Sequence, residues 1–174
     1  MQRLGVLNNS DNFSRASSVS NNGSVIVGNS AYNGFRYHGT TMTDLGQSHD
    51  IVVSEDGNTV IGNRNFNAGS SFTEHLVKFN GSEVSDLGTL GGIGMKPTFV
   101  SADGSTILGW GYVNGASDTH AFEYSAGHLV DLGDHSHFWP YAASHDGTVR
   151  IGHLNGMPLR AVADQMQTLG MIGL

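Results

Sequence analysis

Four stretches of the 174-residue chain align with one another without gaps. They are Val19-Ser20-Asn21-Asn22-Gly23-Ser24-Val25-Ile26-Val27-Gly28, Val53-Ser54-Glu55-Asp56-Gly57-Asn58-Thr59-Val60-Ile61-Gly62, Val100-Ser101-Ala102-Asp103-Gly104-Ser105-Thr106-Ile107-Leu108-Gly109 and Ala143-Ser144-His145-Asp146-Gly147-Thr148-Val149-Arg150-Ile151-Gly152. A second element follows each: Gly34-Phe35-Arg36-Tyr37, Leu76-Val77-Lys78-Phe79, Ala121-Phe122-Glu123-Tyr124 and, more faintly, Arg160-Ala161-Val162-Ala163. A third closes each unit, at Asp44-Leu45-Gly46, Asp86-Leu87-Gly88, Asp131-Leu132-Gly133 and Thr168-Leu169-Gly170. The Leu-Gly landmarks recur every 37 to 45 residues or so, a period of the kind seen in propellers and solenoids.

The chemistry of one unit predicts its strands. Asn-Gly or Asp-Gly between apolar runs is a strong hairpin signal, because a type I′ turn needs positive φ at both central residues. The run after each turn is apolar almost without alternation, as expected of a strand buried on both faces. The aromatic element and the Asp-Leu-Gly element make a second hairpin through Asn80-Gly81 or Ala126-Gly127. The expected fold is therefore all-β and β-propeller-like, with four repeats of about four strands each. Residues 1–174 form a single repeat domain, in units of about 5–46, 47–88, 89–133 and 134–170. Residues 1–5 (Met1-Gln2-Arg3-Leu4-Gly5) resemble the last closing element and form a spare strand. That strand pairs within a closed ring of four units or with a second chain, completing a larger ring by oligomerisation.

The fourth unit departs from the others. Arg150 stands where Ile26, Val60 and Ile107 stand, and the aromatic element has lost its aromatics. Atypical terminal repeats serve as caps or as edges that meet another body.

Composition excludes several classes. The net charge is −7 with eight Lys plus Arg, which leaves no basic footprint for nucleic acid and no basic face for an anionic membrane. There is no cysteine, hence no disulfide and no thiolate chemistry. The N-terminal residues do not read as a signal peptide, and no window approaches the roughly 18 apolar residues of a membrane-spanning helix. No membrane insertion is expected.

The third unit carries a likeness to a known family. Asp86-Leu87-Gly88-Thr89-Leu90-Gly91-Gly92, Val100-Ser101-Ala102-Asp103-Gly104 and His120-Ala121-Phe122-Glu123-Tyr124 resemble the HAF-type extracellular repeat, named for its His-Ala-Phe signature. The resemblance covers nearly the whole chain and is weakest in the fourth unit. It implies β-propeller-like architecture on secreted bacterial proteins, and it carries over no catalytic residues. The lack of a visible signal peptide departs from that setting, and a phage particle is a place where such repeats need none.

A search for catalytic groups returns structure instead. Asp44, Asp56, Asp86, Asp103, Asp131 and Asp146 lie at turns and strand ends, mostly at repeat-equivalent places. Such residues accept backbone N–H bonds. No phosphate loop, dinucleotide fingerprint or nucleophile elbow is present. The expectation is no catalytic residue, no enzyme and no cofactor. His135 and His137 share one strand face in Asp134-His135-Ser136-His137; they are a half-site for a transition metal, or they decorate a solvated loop.

Aromatic residues supply the candidate ligand-binding surface: Trp110 and Tyr112 after the third hairpin, and Phe138, Trp139 and Tyr141 before the fourth. Exposed Trp and Tyr stack on sugars and anchor interfaces; the alternative is that Trp139 or Tyr141 fills the space between units. The loops at 6–15, 63–73, 89–97, 110–119 and 134–140 differ while the strands repeat. Two readings follow. One is an extracellular recognition or adhesion module that binds a surface glycan or protein through those loops. The other is a structural subunit of a virion or other extracellular assembly, such as a phage decoration or tail component.

Overall fold

A computed structural model of the chain describes residues 4–68, 71–81, 83–113, 119–134, 138–162 and 165–169. Among them are fifteen strands and no helix. The first unit holds β1 (Ser14–Val19), β2 (Val25–Ser30), β3 (Asn33–His38) and the first half of β4 (Thr41–Val53). The second holds the rest of β4, β5 (Val60–Ala68), β6 (Ser71–Asn80) and β7 (Glu83–Gly88). The third is β8 (Gly91–Val100), β9 (Thr106–Val113), β10 (Thr119–Ser125) and β11 (His128–Gly133). The last is β12 (Trp139–Ala143), β13 (Val149–Leu154), β14 (Met157–Val162) and β15 (Gln165–Thr168).

The sheets are three, not four. The order is β1 to β7 in one seven-stranded sheet, then two four-stranded sheets, all antiparallel between neighbours. The expectation of four separate four-stranded repeats is corrected by β4. Its residues Thr41–Gln47 pair with β3 and Ser48–Val53 with β5, so one strand closes the first unit and opens the second. Of the expected spare strand, residues 1–3 lie outside the described residues, and Leu4 and Gly5 are not in a strand.

Each Asn-Gly or Asp-Gly turn is built by one serine. Ser20, Ser54, Ser101 and Ser144 each donate from Oγ to the side chain of Asn22, Asp56, Asp103 or Asp146, at 2.5 to 2.9 Å. The same side-chain oxygen accepts the backbone N–H two residues on, at Ser24, Asn58, Ser105 or Thr148. The serine Oγ in turn accepts the N–H of Val25, Thr59, Thr106 or Val149. The turn is not the type I′ expected from sequence. Gly23, Gly57, Gly104 and Gly147 have positive φ, but the Asn or Asp before each does not. The side-chain bonds hold that residue in ordinary backbone and leave the glycine alone to turn the chain. Paired positive φ occurs instead at Ala126-Gly127 and Asn155-Gly156.

The core lies between units. Val25, Val27 and Leu45 of the first unit meet Ile51, Val53, Val60, Val77 and Phe79 of the second. Ile61 and Leu76 meet Met95, Val100, Ile107 and Phe122 of the third. A strand such as β5 is thus buried on both faces, with Val60 packed against the preceding unit and Ile61 against the next. Burying each such aliphatic side chain contributes about 2 kcal/mol.

The fourth unit is in a different register from the sequence alignment. Phe35, Val77 and Phe122 each sit opposite the second glycine of their unit (Gly28, Gly62, Gly109). The residue opposite Gly152 is Leu159, two places before Ala161, which the sequence alignment puts there. Leu159 is buried with Phe138 and Ala161. The strand is shifted by two residues and so keeps its faces, whereas a one-residue slip would turn Leu159 to the wrong face.

Candidate functional site

The carboxylates of the Asp-Leu-Gly elements have structural partners. Asp44, Asp86 and Asp131 accept the N–H of Gly46, Gly88 and Gly133 at 2.7 to 2.8 Å. Each also meets the residue at the first position of the His-Ala-Phe element. Asn33 Nδ2 donates to Asp44, His75 Nδ1 lies 2.9 Å from Asp86, and His120 Nδ1 lies 2.8 Å from Asp131. The His of the signature therefore ties the aromatic strand to the closing strand.

Trp110 and Tyr112 are not on a loop. β9 runs through them to Val113, paired with β8 by Lys96 opposite Trp110. The two rings meet edge to face at 6.0 Å, and Lys96 Nζ lies 5.6 Å from the Trp110 ring centroid, within cation–π range. Both aromatics are half-buried. The expected loops at 63–73 and 89–97 are likewise largely strand, since β5, β6 and β8 extend through them.

The other aromatics divide. Phe138 and Trp139 are buried in the fourth unit, which removes them from a ligand-binding surface. Tyr141 is exposed and stacks on His153 at 5.3 Å. The bulge between Pro140 and Ala142 is what turns Tyr141 outward. His135 and His137 lie outside the described residues. Among the described residues, no group of three or more His, Asp or Glu is placed to hold a metal ion.

Beside the Trp110 pair lies a polar cluster that sequence reading missed. Lys96 Nζ is 3.2 Å from Asp50 Oδ1. Buried Asn63 donates from Nδ2 towards Glu74 Oε2 at 3.1 Å and Met95 O at 2.8 Å, and its Oδ1 accepts the N–H of His49. Burial pushes the Glu74 carboxyl above its usual range, and the Asp50 charge adds to this against the pull of His49. Asp50 holds a left-handed backbone, φ +47°, a conformation Asp tolerates better than most residues. A cleft of about 220 Å³ opens here, lined by Tyr32, Gln47, His49, Asn65 and Glu74. Cleft and aromatic pair adjoin at Gly94, where an added Cβ would lie 3.2 Å from Glu74 Oε2 and 3.5 Å from Tyr112 Cδ2.

A repeat position marked this surface. Asn29, Asn63, Trp110 and His153 each follow the second glycine of their unit. In that column the apolar rule stops: it holds Asn twice, then Trp and His, and of these Asn63 is buried while Trp110 is half-buried.

No protein-family model matches the chain, and no curated protein matches it. Solved structures do resemble it. A chain assigned as TolB from Agrobacterium tumefaciens aligns over 91% of this chain with a TM-score of 0.64 and 15% identity. TolB from Acinetobacter baumannii aligns over 87%, with a TM-score of 0.58 and 17% identity. A structure from a study of two prolyl endopeptidases aligns over 90%, with a TM-score of 0.58 and 14% identity. The fold is all-β and propeller-like. The chain spans 62%, 42% and 29% of those three chains. At these identities the likeness concerns fold alone, and fold does not determine function. Among the described residues, no helix is long and apolar enough to cross a membrane.

Proposed function

We propose that the chain is a non-catalytic recognition module that acts outside the cell or on a virion, binding a surface glycan through the Trp110 end of its sheets. The observation that carries this reading is the Trp110–Tyr112 pair beside the cleft of Tyr32, Gln47, His49, Asn65 and Glu74. Aromatic faces stack on the C–H faces of sugar rings. Planar amides and carboxylates at their side satisfy ring hydroxyls. The cleft is smaller than the usual enclosed small-molecule site of about 300 Å³ upward, which suits one protruding residue of a longer glycan. The repeated carboxylates are engaged by glycine N–H groups and turn residues, which supports a scaffold rather than a catalyst. The likeness to the HAF-type extracellular repeat supports the same setting.

The test is a glycan array probed with the chain and with Trp110→Ala. The reading expects saturable binding to a defined glycan class and at least tenfold weaker binding by the variant, with an unchanged far-ultraviolet spectrum. Binding that survives the substitution, or no glycan bound at all, overturns it.

A second reading, a structural subunit of a virion or other extracellular assembly, draws support from a different observation. Large apolar residues stay exposed in the first and last units (Val19, Ile151, Leu169) where the middle units cover them. Obligate assembly without glycan binding would favour it.

A further inference from the structure

Each unit docks on the next through a backbone bond between their turns and a glycine packed on the neighbouring turn, so the halves of a contact are recognisable when they stand alone. The Asn21 N–H donates to Glu55 O at 2.9 Å, Asp56 N–H to Ala102 O at 3.3 Å, and Ala102 N–H to His145 O at 3.0 Å. Each turn glycine then leans on the residue after the preceding turn. A Cβ on Gly57 would lie 3.0 Å from Val25 Cγ2, on Gly104 2.1 Å from Thr59 Oγ1, and on Gly147 2.8 Å from Thr106 Oγ1. Gly23, the first of the series, has nothing within 4 Å. Among the described residues no turn glycine has Val149, the counterpart of Val25, as its nearest neighbour.

The apolar positions tell the same story. On the side facing the next unit, Val27, Ile61 and Leu108 are 0% exposed, whereas Ile151 is 48% exposed. Leu45 is 6% exposed and its counterpart Leu169 is 56% exposed. On the side facing the previous unit, Val53 and Val100 are each 6% exposed and Val19 is 56% exposed. The first unit also carries a groove of about 470 Å³ lined by Leu4, Val6, Phe13, Ala16 and Phe35. The two end faces are therefore the two halves of a contact made three times within the chain.

From this we infer that two copies of the chain dock head to tail, with the fourth unit of one seated on the first unit of another. Val149, Ile151 and Leu169 of one copy meet Val19, Gly23 and the groove of the other. The occupant is a second copy because the internal contacts define what each face fits, and both faces are present on every copy. Such a contact is heterologous: it closes into a ring or continues as an open chain, according to the rotation between units.

The test is the mass of the 174-residue chain by light scattering after size exclusion, over a range of concentrations, with Val19→Asp, Ile151→Asp and a mixture of the two. Both positions are exposed, and far-ultraviolet spectra verify that each variant is folded. The wild type is expected at twice its 18.4 kDa mass or more, and each variant at one chain mass or as a weakened assembly. The equimolar mixture is expected to recover a two-chain species, since each variant keeps one intact face and the two faces are complementary. A wild type that is monomeric at every concentration overturns the proposal. Variants that assemble unchanged, or a mixture that stays monomeric, overturn it as well.

Discussion

Arg150 of the fourth unit places Nη2 2.8 Å from both carboxylate oxygens of Glu123 in the third. Elsewhere in the repeat, the position of Arg150 is aliphatic and packs against the preceding unit, as Val60 and Ile107 do. Glu123 is the counterpart of Arg36 and Lys78, each opposite the apolar strand of its own unit. The one cation in the aliphatic column thus comes with the one anion in the basic column. What reads in sequence as decay of a terminal unit is a matched exchange across the interface between units three and four.

Removing one partner of this largely buried pair leaves the other charge uncompensated. Glu123→Ala and Arg150→Ala are each expected to lower unfolding free energy by about 2 kcal/mol. The double variant Glu123→Leu with Arg150→Ile, which restores an apolar contact, is expected to recover most of that loss. Urea denaturation of the wild type, the two alanine variants and the Glu123→Ala, Arg150→Ala double variant forms a double-mutant cycle, and additive losses would show that the pair is not coupled.

The turn carboxylates give a pH dependence of definite sign. Asp103 is held down to about 2 by the Ser105 N–H first and the Ser101 hydroxyl second. Asp146 is held at about 2 by the Ser144 hydroxyl and then the Thr148 N–H. Both lie below the ordinary value of 3.8. The stability they contribute is fully present above about pH 4 and drains away as pH falls towards 2. The Asp103→Asn, Asp146→Asn double variant should be less stable at neutral pH and flatter between pH 4 and pH 2. Thermal unfolding across that window measures it, and a wild-type slope in the variant would contradict the assignment.

Glycine substitutions separate backbone strain from packing between units. Gly23 and Gly104 share a positive φ, 71° and 72°, but only at Gly104 does a Cβ collide with Thr59. Gly23→Ala is expected to cost about 1 kcal/mol from backbone strain alone. Gly104→Ala should cost about 3 kcal/mol, because overpacking adds to the strain. Denaturant titrations at a low, common protein concentration compare them. Equal losses would mean that the turns do not carry the packing between units.

The all-β class and the places of the four turns were legible because turn chemistry is local: Ser20 to Val25 contains every group the first turn uses. The turn type was not. Two-residue hairpin statistics favour positive φ at Asn22, whereas its side chain is spent on the Ser24 N–H. The sharing of β4 between units was hidden because Asp44-Leu45-Gly46 reads as the end of a unit, whereas the strand runs on through Gly46 and Asp50, both at positive φ. Of the candidate site, Trp110 and Tyr112 were found by residue type. Asp50, Asn63, Glu74 and Lys96 were not, because they come from four strands, three in the second unit and one, that of Lys96, brought in by the stacking of the third unit. Phe138 and Trp139 looked equally suited to a surface, and their burial depends on packing that no local pattern encodes.

The central claim is that Trp110 touches the ligand. The chain has two tryptophans, so Trp139→Phe, a conservative replacement in the buried core, leaves Trp110 as the only indole reporter. Titrating this variant with the best glycan from the array should change the intensity and wavelength of its emission saturably, with the same midpoint as calorimetry. Emission that stays constant while calorimetry still registers binding would place the ligand elsewhere and contradict the account.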